Sequence, residues 1–460
     1  MGKEELRSLP SVHQLMEAVS ATMPHAPPSA LRHACREVIE GERERIMAGD
    51  AARSPEELAD ETVGRLEDAL LPSMENVINA TGVMLHTAIG RAPMPEAAVE
   101  AAARAARGYT VLQWDRGTGR RGHRDEHVEG LITEITGAEA ATVVNNNAGA
   151  TLLVLSALCR GREVVVSRGQ LVEIGGAFRI PEVMRQSGAV MHEVGCTNRT
   201  HLRDYAEAIC EDTAALLRVH PSNYRIRGFS GFPELAEMVQ LAEEHGLPVI
   251  DDLGAGSLVD LKLFGLPHEP TVQDSLSDGA SVTTSSGDKL IGGPQAGVIT
   301  GKKELIDRIR RHPLARALRV GKMTLATLAA TLRLFLEDRE YIIRHHPVYS
   351  MFAAEPEALE QRAGGLLELL QLPDGCSAEV IPTDSYVGSG SLPDTAIPSF
   401  GIGVTAPDPD ALARRLRLGS PAVASRVEDG LLKLDVRTLL PGEAETLAGL
   451  VNREAASLWA

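Results

Sequence analysis

Apolar positions recur along this chain in two textures, and the change between them falls near Asn76. Upstream, apolar residues return every three to four positions within charge-dense segments, as in helices with one buried stripe. Ser11 stands as an N-cap after Leu9-Pro10, and Pro24, Pro27 and Pro28 interrupt the pattern. Ala30–Met47 carries a stripe, and Ser54-Pro55-Glu56-Glu57 opens a further helix with proline in its first turn. Residues 1–75 therefore predict a small helical domain.

Downstream, short apolar runs alternate with helical segments. Ala141–Val144, Glu163–Ser167, Ala189–Val194, Ala214–His220 and Pro248–Asp252 read as strands, and Ala148–Leu158 and Pro233–Glu244 as helices. This alternation predicts crossover units and a mainly parallel sheet, which binds ligands at the carboxyl ends of its strands. Thr324–His346 predicts one long helix ending near Pro347. It leads into a smaller αβ region with a helix at Ala411–Leu418, strands at Ala422–Glu428 and Leu431–Asp435, and a helix at Glu443–Trp459. The expected division is 1–75 helical, 76–323 the large domain, and 324–460 the linker helix with a C-terminal α+β domain.

Composition narrows the classes. The 460 residues are 43% hydrophobic, enough for a sizeable core and for two or three domains. A formal charge of −17 excludes a globally basic DNA binder while leaving room for a local basic patch. Aromatic residues at 3% argue against base-stacking platforms. Acidic residues follow Met1-Gly2-Lys3 at once, and apolar runs such as Thr151–Cys159 are too short to span a bilayer, so a cytoplasmic, membrane-free protein is expected. Five cysteines without a C-x-x-C pair or histidines at zinc spacing predict reduced thiols and no metal site.

Three segments carry candidate chemistry. Lys289, in Ser286-Gly287-Asp288-Lys289-Leu290-Ile291-Gly292-Gly293, follows a β-branched run and precedes a glycine-rich turn. Confinement there eases loss of its proton and suits Schiff-base chemistry; a surface lysine beside a tight turn is the alternative. Pro248–Asp252 ends an apolar run in Asp251-Asp252 before a glycine loop. A carboxylate there can pair with a pyridinium nitrogen or a metal, although either aspartate could instead be an N-cap. Asn145-Asn146-Asn147-Ala148-Gly149-Ala150 sits where a strand meets a helix, whose free N–H groups could hold a phosphate. Phosphate turn, aspartate, lysine, in that order, is the arrangement of a pyridoxal-phosphate (PLP) enzyme of the aspartate-aminotransferase fold. Residues 302–322 add eight basic against two acidic side chains. Within them Arg316 and Arg319 are expected on one helix face among apolar neighbours. Arg91 and the cluster Arg120, Arg121 and Arg124 are further candidates for binding oxyanions.

Longer stretches resemble the bacterial L-seryl-tRNA(Sec) selenium transferase, or selenocysteine synthase, family. They are Ile78–Val83 with Leu85-His86-Thr87, Ala138–Ala140 leading to Val144–Ala148, Val172–Pro181, Ser286–Gly297, Pro313–Val320, Val387–Pro393 and the opening Leu6–Val12. The resemblance spans nearly the whole chain. It implies a fold type I, aspartate-aminotransferase-like α/β enzyme with PLP covalently held by Lys289. Asp252 would partner the pyridinium, Asn147, Ala148 and Gly149 would lie at the phosphate, and Arg91, Arg316 and Arg319 would bind the selenium donor's anion. The implied reaction converts seryl-tRNA(Sec) to selenocysteinyl-tRNA(Sec) by β-elimination of the serine hydroxyl and addition of selenium from selenophosphate. Residues 1–75 would grip the tRNA, and a homo-oligomeric ring of dimers, a decamer, would place sites at dimer interfaces.

Ala88, Gly149, Ala255 and Gly321 depart from the family's usual asparagine, alanine, serine and aspartate. A related PLP lyase acting on a free amino acid or sugar acid is the alternative enzyme, and a non-catalytic tRNA-binding scaffold the alternative of another class. Residues 1–75 hold eight basic and fifteen acidic residues, so bulk electrostatics cannot retain tRNA there. Recognition by shape and a few placed side chains is expected instead.

Overall fold

Proline and serine set the ends of the N-terminal helices as their positions require. The computed structural model describes residues 6–70, 74–176, 178–221, 224, 226 and 228–459, so Ala177 of the Val172–Pro181 motif and parts of the segment 1–75 lie outside the described residues. Residues 1–76, with 420–422, form one unit containing helices Val12–Thr22, Pro28–Ala48 and Pro55–Leu70. Ser11 and Gln14 form a capping box, Pro28 occupies a first-turn position, and Gly49 closes the second helix with φ of 103°. Leu15, Val19, Leu31, Cys35, Val38, Ile39, Leu58 and Leu66 make its core.

Glu42 is wholly buried in this unit. It accepts from the Arg53 backbone N–H at 2.9 Å and from Arg53 Nε at 2.7 Å, with Arg45 Nη1 at 3.0 Å. Burial works against its charge, but the Arg53 and Arg45 contacts outweigh that and hold its pKa below the ordinary value. The stabilisation is therefore full above about pH 4.5, the ordinary glutamate value, and is lost as pH falls through the lowered native one. Glu42→Gln should cost this unit about 2 kcal/mol. The measurement is faster hydrogen exchange in Pro28–Ala48 peptides of the full chain at pH 7; unchanged exchange contradicts it.

The second unit, residues 77–419 and 423–460, is built on a seven-stranded sheet. Its order is Ala140–Val144, Gly297–Gly301, Val282–Ser286, Val249–Gly254, Thr213–Val219, Glu163–Ser167, Val190–Val194. Gly297–Gly301 runs antiparallel to both neighbours, and the other pairings are parallel. β-Branched residues such as Val164, Val165 and Val166 are buried on both sheet faces, as expected beneath helices on either side. The expectation of a mainly parallel sheet is met. Asn147–Leu158 is apolar nearly all round and lies buried against the sheet.

The single long helix expected at Thr324–His346 is instead Lys322–Leu334 followed by Arg339–His345. Asp338 accepts from Tyr341 N–H at 2.8 Å and caps a new helix. Hydrophobic spacing continues across the break, so periodicity alone cannot show it. Ala422–Glu428 likewise divides into Ala422–Ala424 and Arg426–Glu428. The second piece pairs with Leu431–Asp435 across an Asp429-Gly430 turn with φ of 55° and 76°. Strands Ser377–Ser385 and Ile397–Thr405, not foreseen, complete a four-stranded antiparallel sheet.

Ile78 and Ala80 pack in the core of this small sheet and its helices Pro356–Glu368, Pro409–Arg417 and Glu443–Trp459. Asp435 is buried there and accepts from Thr383, Ser385, Ser399 and the Arg437 N–H. A Cβ on Gly82, whose φ is 75°, would lie 2.7 Å from Asp435. The Ile78–Val83 motif is thus an anchor packed against the C-terminal sheet.

Candidate active site

Strand ends and one helix start supply the site. Lys289 lies in the turn joining Val282–Ser286 to Gly297–Gly301. Gly287 N–H donates to Ala296 O and Gly293 N–H to Gly287 O, both at 2.8 Å, folding the turn back on itself. A Cβ at Gly287 would stand 2.8 Å from Pro294 O, so close backbone approach requires glycine there. Lys289 is 7% exposed. Burial first, then the Arg91 charge, lowers its pKa, while Asp252, Asp288 and Glu269 pull the other way. Among the described residues no carboxylate lies within 4.0 Å of its amine.

Strand pleating separates the two aspartates. Asp251 turns toward Arg218, 3.3 Å away, and Ser275, and burial raises its pKa. Asp252, 3% exposed, turns to the other face. It accepts from Asn147 Nδ2 at 2.8 Å, Thr284 Oγ1 at 2.9 Å and Thr151 Oγ1 at 3.2 Å. Thr284 and Thr151 escaped the sequence reading. The available signals were Thr284 opposite Asp252 in the sheet register and Thr151 one helical turn after Asn147.

The start of helix Asn147–Leu158 stands beside Asp252. Asn146 caps it, its side chain accepting from Gly149 N–H at 2.7 Å. The N–H groups of Asn147 and Ala148 have no acceptor among the described residues. Asn147 Oδ1 is buried without a partner although its amide nitrogen is tied to Asp252. A Cβ on Gly149 would meet Asn145, Asn146 and Leu318 side-chain atoms at 3.1–3.2 Å, a tight place for the alanine usual in the resembled family.

Arg91 joins the lysine side of the site. It follows Gly90, has a left-handed φ of 66°, and pairs with Asp288, the residue before Lys289. Arg316 and Arg319 do not meet it. They line a separate cavity of about 930 Å³ with Gln113, Arg121, Arg124 and Arg311. The expected shared helix face is absent. The helix Pro313–Ala317 ends after one turn, and Arg319 enters a β-bridge with Val144. The link to the segment opening helix Asn147–Leu158 is backbone: Asn145 N–H donates to Leu318 O at 2.8 Å. Arg124, also in that cavity, has its pKa lowered by burial and then by Arg319. Among the described residues Arg121, Arg316 and Arg319 have no carboxylate within 4.0 Å, leaving their charge for an anion.

Two further residues were not foreseen. His220, whose N–H donates to Asp252 O, lies 3.3 Å from the buried Glu269, and Glu269 acts electrostatically on Lys289.

The family model described as L-seryl-tRNA selenium transferase matches residues 77–440. The chain belongs to the L-seryl-tRNA selenium transferase family. The family member from Moorella thermoacetica, described as an L-seryl-tRNA(Sec) selenium transferase, is 48% identical over 449 residues, covering 96% of this chain and 95% of that one. A protein of the same description from Desulfomicrobium baculatum is 48% identical over 456 residues, covering 97% of this chain and 98% of that one. Among solved structures, a D-glucosaminate-6-phosphate ammonia-lyase aligns with a TM-score of 0.57 at 23% identity, over 85% of this chain and 98% of that one. That likeness concerns the fold alone, and the family fold is the α/β architecture of PLP-dependent fold type I enzymes. In this family member, Lys289, Asp252, Asn147 and Arg91 form one connected neighbourhood, and Arg316 and Arg319 form a second beside it.

Proposed function

We propose that this chain converts seryl-tRNA(Sec) to selenocysteinyl-tRNA(Sec), removing the serine hydroxyl and placing selenium on the β-carbon. Its cofactor is PLP. The reading rests above all on a buried Lys289 with a lowered pKa, set near Asp252, in a chain 48% identical to proteins named for this reaction. The residues fit the cofactor. Asp252 offers a carboxylate for a pyridinium nitrogen, the unpartnered Asn147 oxygen and the free Asn147 and Ala148 N–H groups offer polar contacts, and Lys289 offers an amine. When bound, PLP supplies the electron sink that lets a Cα proton leave.

The chain's own groups carry the rest. Lys289, its pKa lowered by burial, takes the Cα proton at Nζ and can return one to the departing hydroxyl. Asp252, fixed in place by three side-chain donors, would pair with the ring nitrogen. Arg316 and Arg319 bind selenophosphate as the donor, with Arg91 oriented by Asp288 on the lysine side. In this proposal the working form is a dimer-based ring in the cytoplasm, in which a neighbouring subunit brings basic surface to the tRNA. Among the described residues no helix is long and apolar enough to cross a membrane.

The test is incubation of PLP-loaded protein with selenophosphate and either seryl-tRNA(Sec) or seryl-tRNA(Ser). Selenocysteinyl-tRNA forms only with the first. Equal conversion of both, or of neither, contradicts the proposal.

A further inference from the structure

The backbone directly after Lys289 is held by two side chains from a helical segment distant in sequence. Tyr349, on helix Pro347–Phe352, donates its hydroxyl to Leu290 O at 2.9 Å. His346, which precedes that helix, bonds Ile291 O through Nε2 at 3.0 Å. A carbonyl only accepts, so Nε2 carries the proton and the imidazole is neutral, with Nδ1 buried and unpartnered. Burial lowers the His346 pKa to about 4, so this donor persists at neutral pH.

Packing fixes the two donors. The His346 and Tyr349 rings meet edge-on at 4.8 Å, and Phe335 lies 5.6 Å from His346 and 5.4 Å from Tyr349. Phe264 and Phe352 close on Tyr349 at 5.1 and 5.5 Å. The turn is pressed against this cluster. A Cβ on Gly292, which has φ of 65°, would fall 2.1 Å from the His346 ring. Neither side chain belongs to the reaction centre described above, yet both bond the two residues that follow the lysine.

We propose that His346 and Tyr349 are positioning residues for Lys289: by holding the Leu290 and Ile291 carbonyls they aim its amine into the site and keep it from water. The proposal rests on Lys289 being the cofactor lysine. Without either bond, a buried carbonyl loses its partner and the turn relaxes. The amine then gains solvent, and its pKa rises toward the ordinary lysine value. The groups acting on it electrostatically, Arg91, Asp252, Asp288 and Glu269, are unchanged.

The experiment uses the full-length chain with Tyr349→Phe, His346→Phe and His346→Gln, the last keeping a donor near the Nε2 position. In cofactor-free protein, pH-dependent amine labelling of Lys289 is followed by peptide mass spectrometry. In PLP-loaded protein, kcat and KM for seryl-tRNA(Sec) are measured. Tyr349→Phe and His346→Phe should raise the Lys289 labelling midpoint by about half a pH unit or more. They should lower kcat about tenfold with KM within about twofold, and His346→Gln should recover much of both. A lowered melting temperature with labelling midpoint and kcat unchanged overturns the proposal. If His346→Phe does not fold, Tyr349→Phe, which removes one hydroxyl, decides by itself. Lys289→Ala separates the two readings. If that variant still binds PLP covalently, the identity of the cofactor lysine is wrong; if it does not and Tyr349→Phe behaves as wild type, only the positioning role is wrong.

Discussion

Lys289→Ala should abolish selenium transfer, lowering kcat/KM by at least about 10³-fold, and the purified protein should lose the visible absorbance of lysine-bound PLP. The residue is 7% exposed, and the backbone around it is folded tightly by the Gly287, Gly292 and Gly293 hydrogen bonds. No other lysine lies in this set of contacts: the chain's remaining described lysines are at 262, 302, 303, 322 and 433, and Lys433 is tied to Glu428 and Asp429 in the small sheet. Alanine leaves no amine to hold the cofactor or to move the Cα proton, and loss of a buried amine with no carboxylate within 4.0 Å should cost little stability. Retention of both absorbance and transfer would falsify the assignment. Loss of both with unaltered unfolding by denaturant supports it.

Asp252→Asn should lower kcat/KM by about 10²- to 10³-fold, because a buried charge partner contributes about 3–4 kcal/mol and each 1.36 kcal/mol is tenfold in rate. Asparagine keeps the shape: its Oδ1 can still accept from Asn147 and Thr284 while its Nδ2 donates to Thr151 Oγ1, so the fold should persist. PLP should still bind at Lys289, but without a carboxylate the ring nitrogen is less readily protonated and serves poorly as a sink. Asp251→Asn is the control. Its carboxylate faces Arg218 and Ser275, so the change should lower stability and leave turnover within about threefold of wild type. If Asp251→Asn inactivates and Asp252→Asn does not, the two faces of the strand have been assigned the wrong way round. The readout is kcat/KM with seryl-tRNA(Sec) beside the denaturant midpoint of each variant.

The charge of −17 has a local counterpart that the chain total hides. Arg121, Arg124, Arg311, Arg316 and Arg319 share one cavity. Their separation in sequence is bridged only when the Pro313–Ala317 turn packs beside Asn145. Arg310, also basic and nearby in sequence, is consumed by Asp125, Glu129 and Asp307, so a count of basic residues over 302–322 overstated what is left for an anion.

Much of the architecture was legible one element at a time. Glu163–Ser167, Leu431–Asp435 and Glu443–Trp459 form within the bounds their patterns imply, and Ser11 and Pro55 begin helices where capping chemistry puts them, whereas Pro28, expected to interrupt, starts the helix that carries the Ala30–Met47 stripe. These features depend on neighbours a few residues apart, whose propensities and hydrogen bonds are local. Lys289 stood out as a candidate for a similar reason, since a lysine between a β-branched run and a cluster of glycines is an unusual local environment. The choice between Asp251 and Asp252 was not open to that kind of reading. Pleating guarantees opposite faces, but which face receives Asn147, Thr151 and Thr284 depends on a helix that starts over 100 residues earlier and a strand that follows 30 residues later. The break at Asp338, the packing of Ile78 against a sheet made from residues 377–435, and the grip of His346 and Tyr349 on the turn after Lys289 share that character. Each is settled by contacts between residues far apart in the chain, where burial and partner geometry outweigh the local preference that the pattern expresses.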